Sequence, residues 1–239
     1  MKTIRYNTLA QGTFNLIGDD YDKVQTVEWR LIRDFINNRL STFWRAAKWP
    51  ELTVIESRVP TQTGDVEGNY VSLTQPGQTE IGEVFGVYNK SPKQYKAVTD
   101  LTWNLSANGI QIAETNTPVF VFYRTVKPEI TGEKFSSSTA YSAGDQVYDI
   151  DQGNFFTANA TTTAGQSPTS TPSKWDIVEI PYISRNYLIY AAYADYLRHN
   201  QMMDQSHPAM RSADRFLDEE IMLLQTQQGQ TTQTFVRTY

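Results

Sequence analysis

The stretch from Tyr182 to Gln228 constrains the fold most, because its apolar residues repeat with a helical period in two consecutive segments. In the first, YISRNYLIYAAYADYLRHNQ, Ile189, Ala192, Tyr193, Tyr196 and Leu197 fall at i, i+3, i+4, i+7 and i+8. That spacing makes one broad apolar face, with Asp195, Arg198 and His199 opposite. In the second, Met210, Ala213, Leu217, Ile221 and Leu224 share a face, while Arg211, Asp214, Arg215, Asp218 and Glu219 are polar. Ser206 is placed to cap this helix, with Pro208 in its first turn, where a missing N–H costs nothing. Gly229 is placed to end it. Two such segments joined by the break DQSHPA predict a helical hairpin whose stripes face a core.

Residues 1–18 are short, polar and without a clear period, and read as an arm. Asp19, Asp20 and Asp22 supply capping groups for a helix from about Tyr21 to Ala47. Trp29, Ile32, Ile36, Leu40, Phe43 and Ala47 are spaced three, four, four, three and four apart. Val24, Val27, Leu31 and Phe35 widen that face, Trp44 and Trp49 close it, and Pro50 stops it. From Leu52 the pattern changes to short β-branched and aromatic runs punctuated by Gly and Pro, with Asn108–Gly109 as a hairpin turn. This predicts an antiparallel β domain of about six strands. The expected fold class is α+β, with a long N-terminal helix and a C-terminal helical hairpin packed together, an antiparallel β domain and a small β insertion. The expected parts are 1–50, 51–130, 131–179, 180–229 and a tail at 230–239.

Composition narrows the chemistry. The chain has 239 residues, 39% hydrophobic and 20% charged, which suits one large or two small globular domains. Its net charge of −5 argues against general affinity for nucleic acid surfaces, although not against a lumen through which DNA slides. There is no cysteine, hence no disulfide, thiol nucleophile or thiolate metal site. The start, MKTIRYNTLA, lacks the apolar core of a signal peptide, and no run approaches the length of a membrane span. His199 and His207 show no metal-binding spacing, and no glycine-rich phosphate loop is present. Asp218, Glu219 and Glu220 are consecutive and splay around a helix. Asp149 and Asp151 read as a solvated turn, with a weak cation site as the alternative. Asp204, Ser206 and His207 crowd one turn and do not converge as a catalytic set. No catalytic residue, metal ligand or cofactor is therefore expected.

Residues 134–176 are rich in Ser, Thr, Ala and Gly. Phe135, Tyr141, Gly144–Asp145, Val147, Gly153, Phe155 or Phe156, Ala158, Gly165 with Pro168, and Trp175 stand in a pattern that resembles the small carbohydrate-binding module of chitinases. Phe135 departs from it, since that family has Trp there. The resemblance implies stacking of exposed aromatics on sugar rings, with Tyr141, Phe156 and Trp175 as candidates by position. The competing reading is that these rings form the only core so small a module can have. Flanking prolines in VKPEITGE and VEIPYIS mark connectors, so the module is expected to be separable.

The end of the chain, TTQTFVRTY, is polar and β-forming, and too short to fold alone. It reads as a tail that docks on a partner, by adding a strand for instance. FWRAAKWP, VFVFYRTVKPEI and the paired segments YLIYAAYADYLRHN and AMRSADRFLDEEI together resemble a head-to-tail adaptor, or connector, of a tailed bacteriophage. Ala191, Ala192, Tyr196, Leu197, Ala213 and Phe216 carry most of that likeness. It implies a structural virion protein of the neck, assembled in the host cytoplasm as a ring, usually a dodecamer, below the portal. The implied partners are further copies of itself, the portal protein, tail or other neck proteins, and DNA passing without sequence-specific binding, with no membrane. Phe235, Val236, Arg237 and Tyr239 are the expected portal- or neighbour-binding residues. The alternative is a glycan-binding tail or virion-surface decoration protein.

Overall fold

A computed structural model describes residues 2–18, 28–62, 69–75, 77–94, 99–107, 109–113 and 118–227. The chain divides into two units, Met1–Ala47 with Pro128–Tyr239, and Lys48–Lys127.

The first unit begins with strand β1 (Thr3–Arg5) and helix α1 (Tyr6–Ile17). Tyr6, Leu9, Ala10, Thr13 and Phe14 recur at i, i+3, i+4, i+7 and i+8, and all five are buried. Gly18 ends the helix in a left-handed conformation, φ 80°, its N–H donating to the Phe14 carbonyl. Helix α2 spans Trp29–Ala46, α3 Arg185–His199 and α4 Met203–Gln227. α3 is the hub, packed against α1, α2 and α4. Its burial therefore runs nearly all round, through Tyr187, Leu188, Ile189, Ala191, Ala192, Ala194 and Leu197. The alanines let neighbouring backbones approach. So does Gly12 of α1, where an added Cβ would lie 2.5 Å from Ile189 Cδ1.

This corrects the expected fold class. The chain is mixed α+β with four helices and several small sheets among the described residues, and not a long N-terminal helix packed on a C-terminal hairpin. The supposed arm is helical, and its stripe at Tyr6–Phe14 was a legible signal. The helix expected from Tyr21 is described only from Trp29, and Val24 and Val27 lie outside the described residues. With three helices around α3, no pair of them forms a self-contained element. Ser206 and Pro208 are also corrected. α4 begins at Met203, so Pro208 sits inside it, and Ser206 Oγ donates to the Ala194 carbonyl of α3 at 2.9 Å instead of capping. Gly229 lies outside the described residues.

Four further strands of this unit, β9 (Glu133–Lys134), β10 (Gln146–Asp149), β11 (Asn154–Ala158) and β12 (Trp175–Ile177), form a sheet in the order β12-β11-β10-β9. β9 is parallel to β10 and the other pairs are antiparallel. Strand β13 (Glu179–Pro181) pairs with β1, Ile4 opposite Ile180, and leads into α3.

The second unit holds seven strands among its described residues, against the six or so expected, and they form two antiparallel sheets. One orders β2 (Thr53–Arg58), β8 (Val119–Thr125) and β5 (Ile81–Tyr88). The other orders β3 (Thr61–Gln62), β4 (Asn69–Val71), β7 (Gly109–Ile112) and β6 (Trp103–Ser106). Alternate residues Val119, Val121 and Tyr123 of β8 enter a core with Val71, Val87, Ile110 and Ile112. β6 and β7 pair as expected around the Asn108–Gly109 turn, though Asn108 itself lies outside the described residues.

Candidate functional site

Three places in the first unit have the chemistry to bind something: the aromatic module, a polar cleft on it, and a groove between α2 and α3.

In the module the expected sugar-stacking residues come together, but facing inward. Trp175 is 5% exposed and Phe156 7%, and both belong to a core with Val147 and Ala158. Tyr141 is half-buried. Its ring lies 5.5 Å from Trp175 at 67° and 5.7 Å from Phe135 at 29°. The Tyr141 hydroxyl accepts the Ser136 N–H at 2.9 Å, and Trp175 Nε1 donates to the Gln166 carbonyl at 3.2 Å. A platform for a sugar needs an open aromatic face. Here the rings close on one another, as a small module without other core material requires.

The module's other face meets the helices. Trp29 stacks on Tyr148 at 4.4 Å and 14°, and Tyr6 stands edge-on to Phe155 at 4.8 Å. The Tyr6 hydroxyl donates to the Trp29 carbonyl at 2.7 Å, joining α1 to α2. Asn37 of α2 bonds the backbone of Ile130 twice, donating at 2.7 Å and accepting at 3.0 Å. Arg30 and Arg33 reach Glu133. Contrary to the expected separability, the inserted segment is built into the helical unit. The flanking prolines marked entry and exit points; they carried no information about the aromatic face between them.

A cleft of about 260 Å³ opens between Lys134–Ser137, Asp149–Asp151 and the turn at 165–170. Asp149 is buried. Its Oδ1 accepts the N–H groups of Asp151 and Gln152 at 3.0 and 3.3 Å, and its Oδ2 accepts the Thr169 hydroxyl at 3.1 Å. The turn expected to be solvated is therefore pinned from within. Ser137, Ser167 and Ser170 add hydroxyls to the lining.

The groove between α2 and α3 has a volume of about 430 Å³. Arg39 of α2 clasps Asp195 of α3 with two nitrogens, Nε to Oδ2 at 2.6 Å and Nη2 to Oδ1. Arg198 adds a contact to Asp195 Oδ1 at 3.1 Å. The hydrogen bond to Asp195 raises the Arg39 pKa above its ordinary value against the effect of burial. Burial likewise raises the Tyr187 phenol, opposed by the Arg39 guanidinium. Phe35 meets His199 edge-on at 6.2 Å along the groove. Sequence reasoning placed Asp195 on a solvated face and passed over Arg39. The signal was an arginine directly beside the buried Leu40 and an aspartate between Ala194 and Tyr196, each at the border of an apolar stripe.

The expected tail residues Phe235, Val236, Arg237 and Tyr239 lie outside the described residues. The helix leading to them exposes Met222 at 66% and Leu223 at 55%. Among the described residues no group of three or more His, Cys, Asp or Glu is placed to hold a metal ion, and no helix is long and apolar enough to cross a membrane. In comparisons with known proteins, no family model matches the chain, and neither a curated protein nor a solved structure matches it significantly.

Proposed function

We propose that this chain is a structural subunit of a bacteriophage neck, a head-to-tail adaptor that assembles as a ring below the portal, joins capsid to tail and surrounds the DNA channel. The reading starts from the adaptor-like residues of α3 and α4. The observation that carries it further is the far end of α4, where Met222 and Leu223 are exposed immediately before the segment containing Phe235, Val236 and Tyr239. Leaving Met222 and Leu223 in water forfeits up to roughly 1.5–3 kcal/mol each relative to full burial, so they are expected to meet a partner. In the assembled neck the C-terminal segment engages the portal or a neighbouring copy, with Phe235 and Tyr239 as anchors and Arg237 paired with an acidic rim.

Truncation after Gln230 tests this reading. Anchors of this kind commonly cost more than about 1 kcal/mol each when removed. Multiplied around a ring, the loss is expected to abolish incorporation into particles while leaving the subunit folded by circular dichroism. Normal incorporation with normal DNA retention would count against the reading.

The polar cleft beside Phe135 favours a second reading, a glycan-binding decoration protein. Recognition would then depend on hydroxyl and carboxylate contacts, because Phe156 and Trp175 are not exposed for stacking. Retention of the full chain on an insoluble glycan, lost on Thr169→Val, would move weight to it.

A further inference from the structure

The acidic turn of α4 just before its exposed tip and the groove between α2 and α3 carry opposite charge, and we infer that this end of α4 docks into the groove of a neighbouring copy of this chain. The inference rests on the ring reading above and names the contact that would close the ring.

The argument begins with polarity along α3. Ser206 bonds Ala194 at 2.9 Å, and the rings of Phe216 and Tyr190 lie 5.1 Å apart, so α4 runs antiparallel to α3 from its C-terminal end. α4 has 25 residues and α3 has 15, so α4 overhangs the N-terminal end of α3. Met222 and Leu223 fall on that overhang. The groove lies at the other end, beside Asp195, Arg198 and His199. At 1.5 Å per residue the two are separated by about 20 Å of rigid helix. The tip of α4 therefore cannot reach the groove of its own chain. A contact between them joins unlike surfaces of two copies, the head-to-tail geometry that generates rings.

Charge selects the occupant. Next to the tip, residues 215–220 hold Asp218, Glu219 and Glu220 against one Arg215, a net of −2. The groove holds Arg39 and Arg198 against Asp195, a net of +1. Asp195 is already satisfied by two guanidinium groups, whereas the Arg198 side chain is 45% exposed and has donors for an incoming carboxylate. Phe35 offers the apolar surface that Met222 and Leu223 lack in a single copy. The groove has room for two side chains of that size.

The absence of cysteine makes the test clean. The full chain carrying Leu223→Cys and Asn38→Cys is concentrated, oxidised and run on a non-reducing gel. A ladder of covalent oligomers is expected, while Leu223→Cys alone, with one thiol per chain, gives nothing beyond a dimer. Adding Arg198→Glu should lower the ladder yield several-fold with unchanged circular dichroism. Absence of the ladder, or a ladder whose yield is unchanged by Arg198→Glu, overturns the contact. A link within one chain between Phe235→Cys and Asn38→Cys would give the groove to the chain's own C-terminal segment and also overturn it. Light scattering on the unsubstituted chain separates the two readings: an oligomer without the ladder sinks this contact and leaves the ring standing.

Discussion

In the helical unit Arg39 meets Asp195 at the rim of a groove, the two side chains 19% and 12% exposed and the carboxylate shared with Arg198. In the β unit Arg58 is 0% exposed, and its Nη2 alone serves three acceptors: Glu56 Oε2 at 2.8 Å, the Tyr123 hydroxyl at 3.1 Å and the Thr79 carbonyl. Its Nε and Nη1 have no partner among the described residues. The difference follows from period. A helix turns by 100° per residue, so a charge can sit at the border of an apolar stripe and still reach water. A strand has only two faces. Val54, Glu56 and Arg58 share one face of β2, opposite Tyr123, Val121 and Val119 of β8, so once Val54 points inward the two charges follow it. The helical unit thus places an ion pair where it can be used, and the β unit tolerates one that its register imposes.

The largest break in this comparison is expected from Leu40→Asp. Leu40 is fully buried in α2, and an unpaired carboxylate there should cost about 3 kcal/mol or more. Thermal unfolding followed by far-ultraviolet circular dichroism checks it; an unchanged melting temperature would remove Leu40 from the core. Trp29→Ala is expected to cost about 3 kcal/mol, because it removes the ring that stacks on Tyr148 and leaves a cavity. The sharper result is where the loss appears. Hydrogen exchange should accelerate in β10 and β11 as well as in α2, which a separable module would not show.

The two ion pairs should then respond in opposite ways. Asp195→Ala strands Arg39 beside Tyr187 and should destabilise by about 2 kcal/mol, less than a fully buried pair because both groups keep some contact with water. Arg58→Met removes two unpartnered buried donors while Tyr123 keeps its 2.7 Å bond to Glu56. It should stay within about 1 kcal/mol of the unsubstituted chain or exceed it in stability. Denaturant melts of both variants decide the point, and equal losses would erase the distinction drawn here.

The smallest effect is alkaline. Burial raises the phenols of Tyr187 and Tyr123, the latter also through its hydrogen bond to Glu56. A folded pKa above the unfolded value of about 10 leaves stability intact below that pH. Stability is then lost as pH rises, because the unfolded chain sheds the proton that the folded chain retains. Arg39, also raised, acts in the same direction at still higher pH. Tyr187→Phe should flatten the alkaline fall of the helical signal, and stability at high pH that is unaltered by it would exclude that phenol as a contributor.

Local pattern in the chain determined which segments coil and which extend. The stripe Trp29–Phe43 is helical because its spacing turns one face to the core, and the β-branched runs between Leu52 and Val126 are strands because alternate residues can be buried. The same reasoning, applied to Tyr6, Leu9, Ala10, Thr13 and Phe14, was sufficient for α1, although the polar residues among them disguised it. The pattern 135–175 likewise carried a small aromatic core, since Tyr141, Phe156 and Trp175 do converge. Tertiary structure decided the rest. Periodicity says that a face is apolar but not what covers it, so α3 could be read as half of a hairpin when three helices enclose it. Nothing local tells whether an aromatic ring faces a ligand or its own module, and only packing turned Trp175 inward and set Tyr148 against Trp29. Arg39 and Asp195 are separated by 156 residues, and their meeting depends on how α2 crosses α3, a property of no single segment.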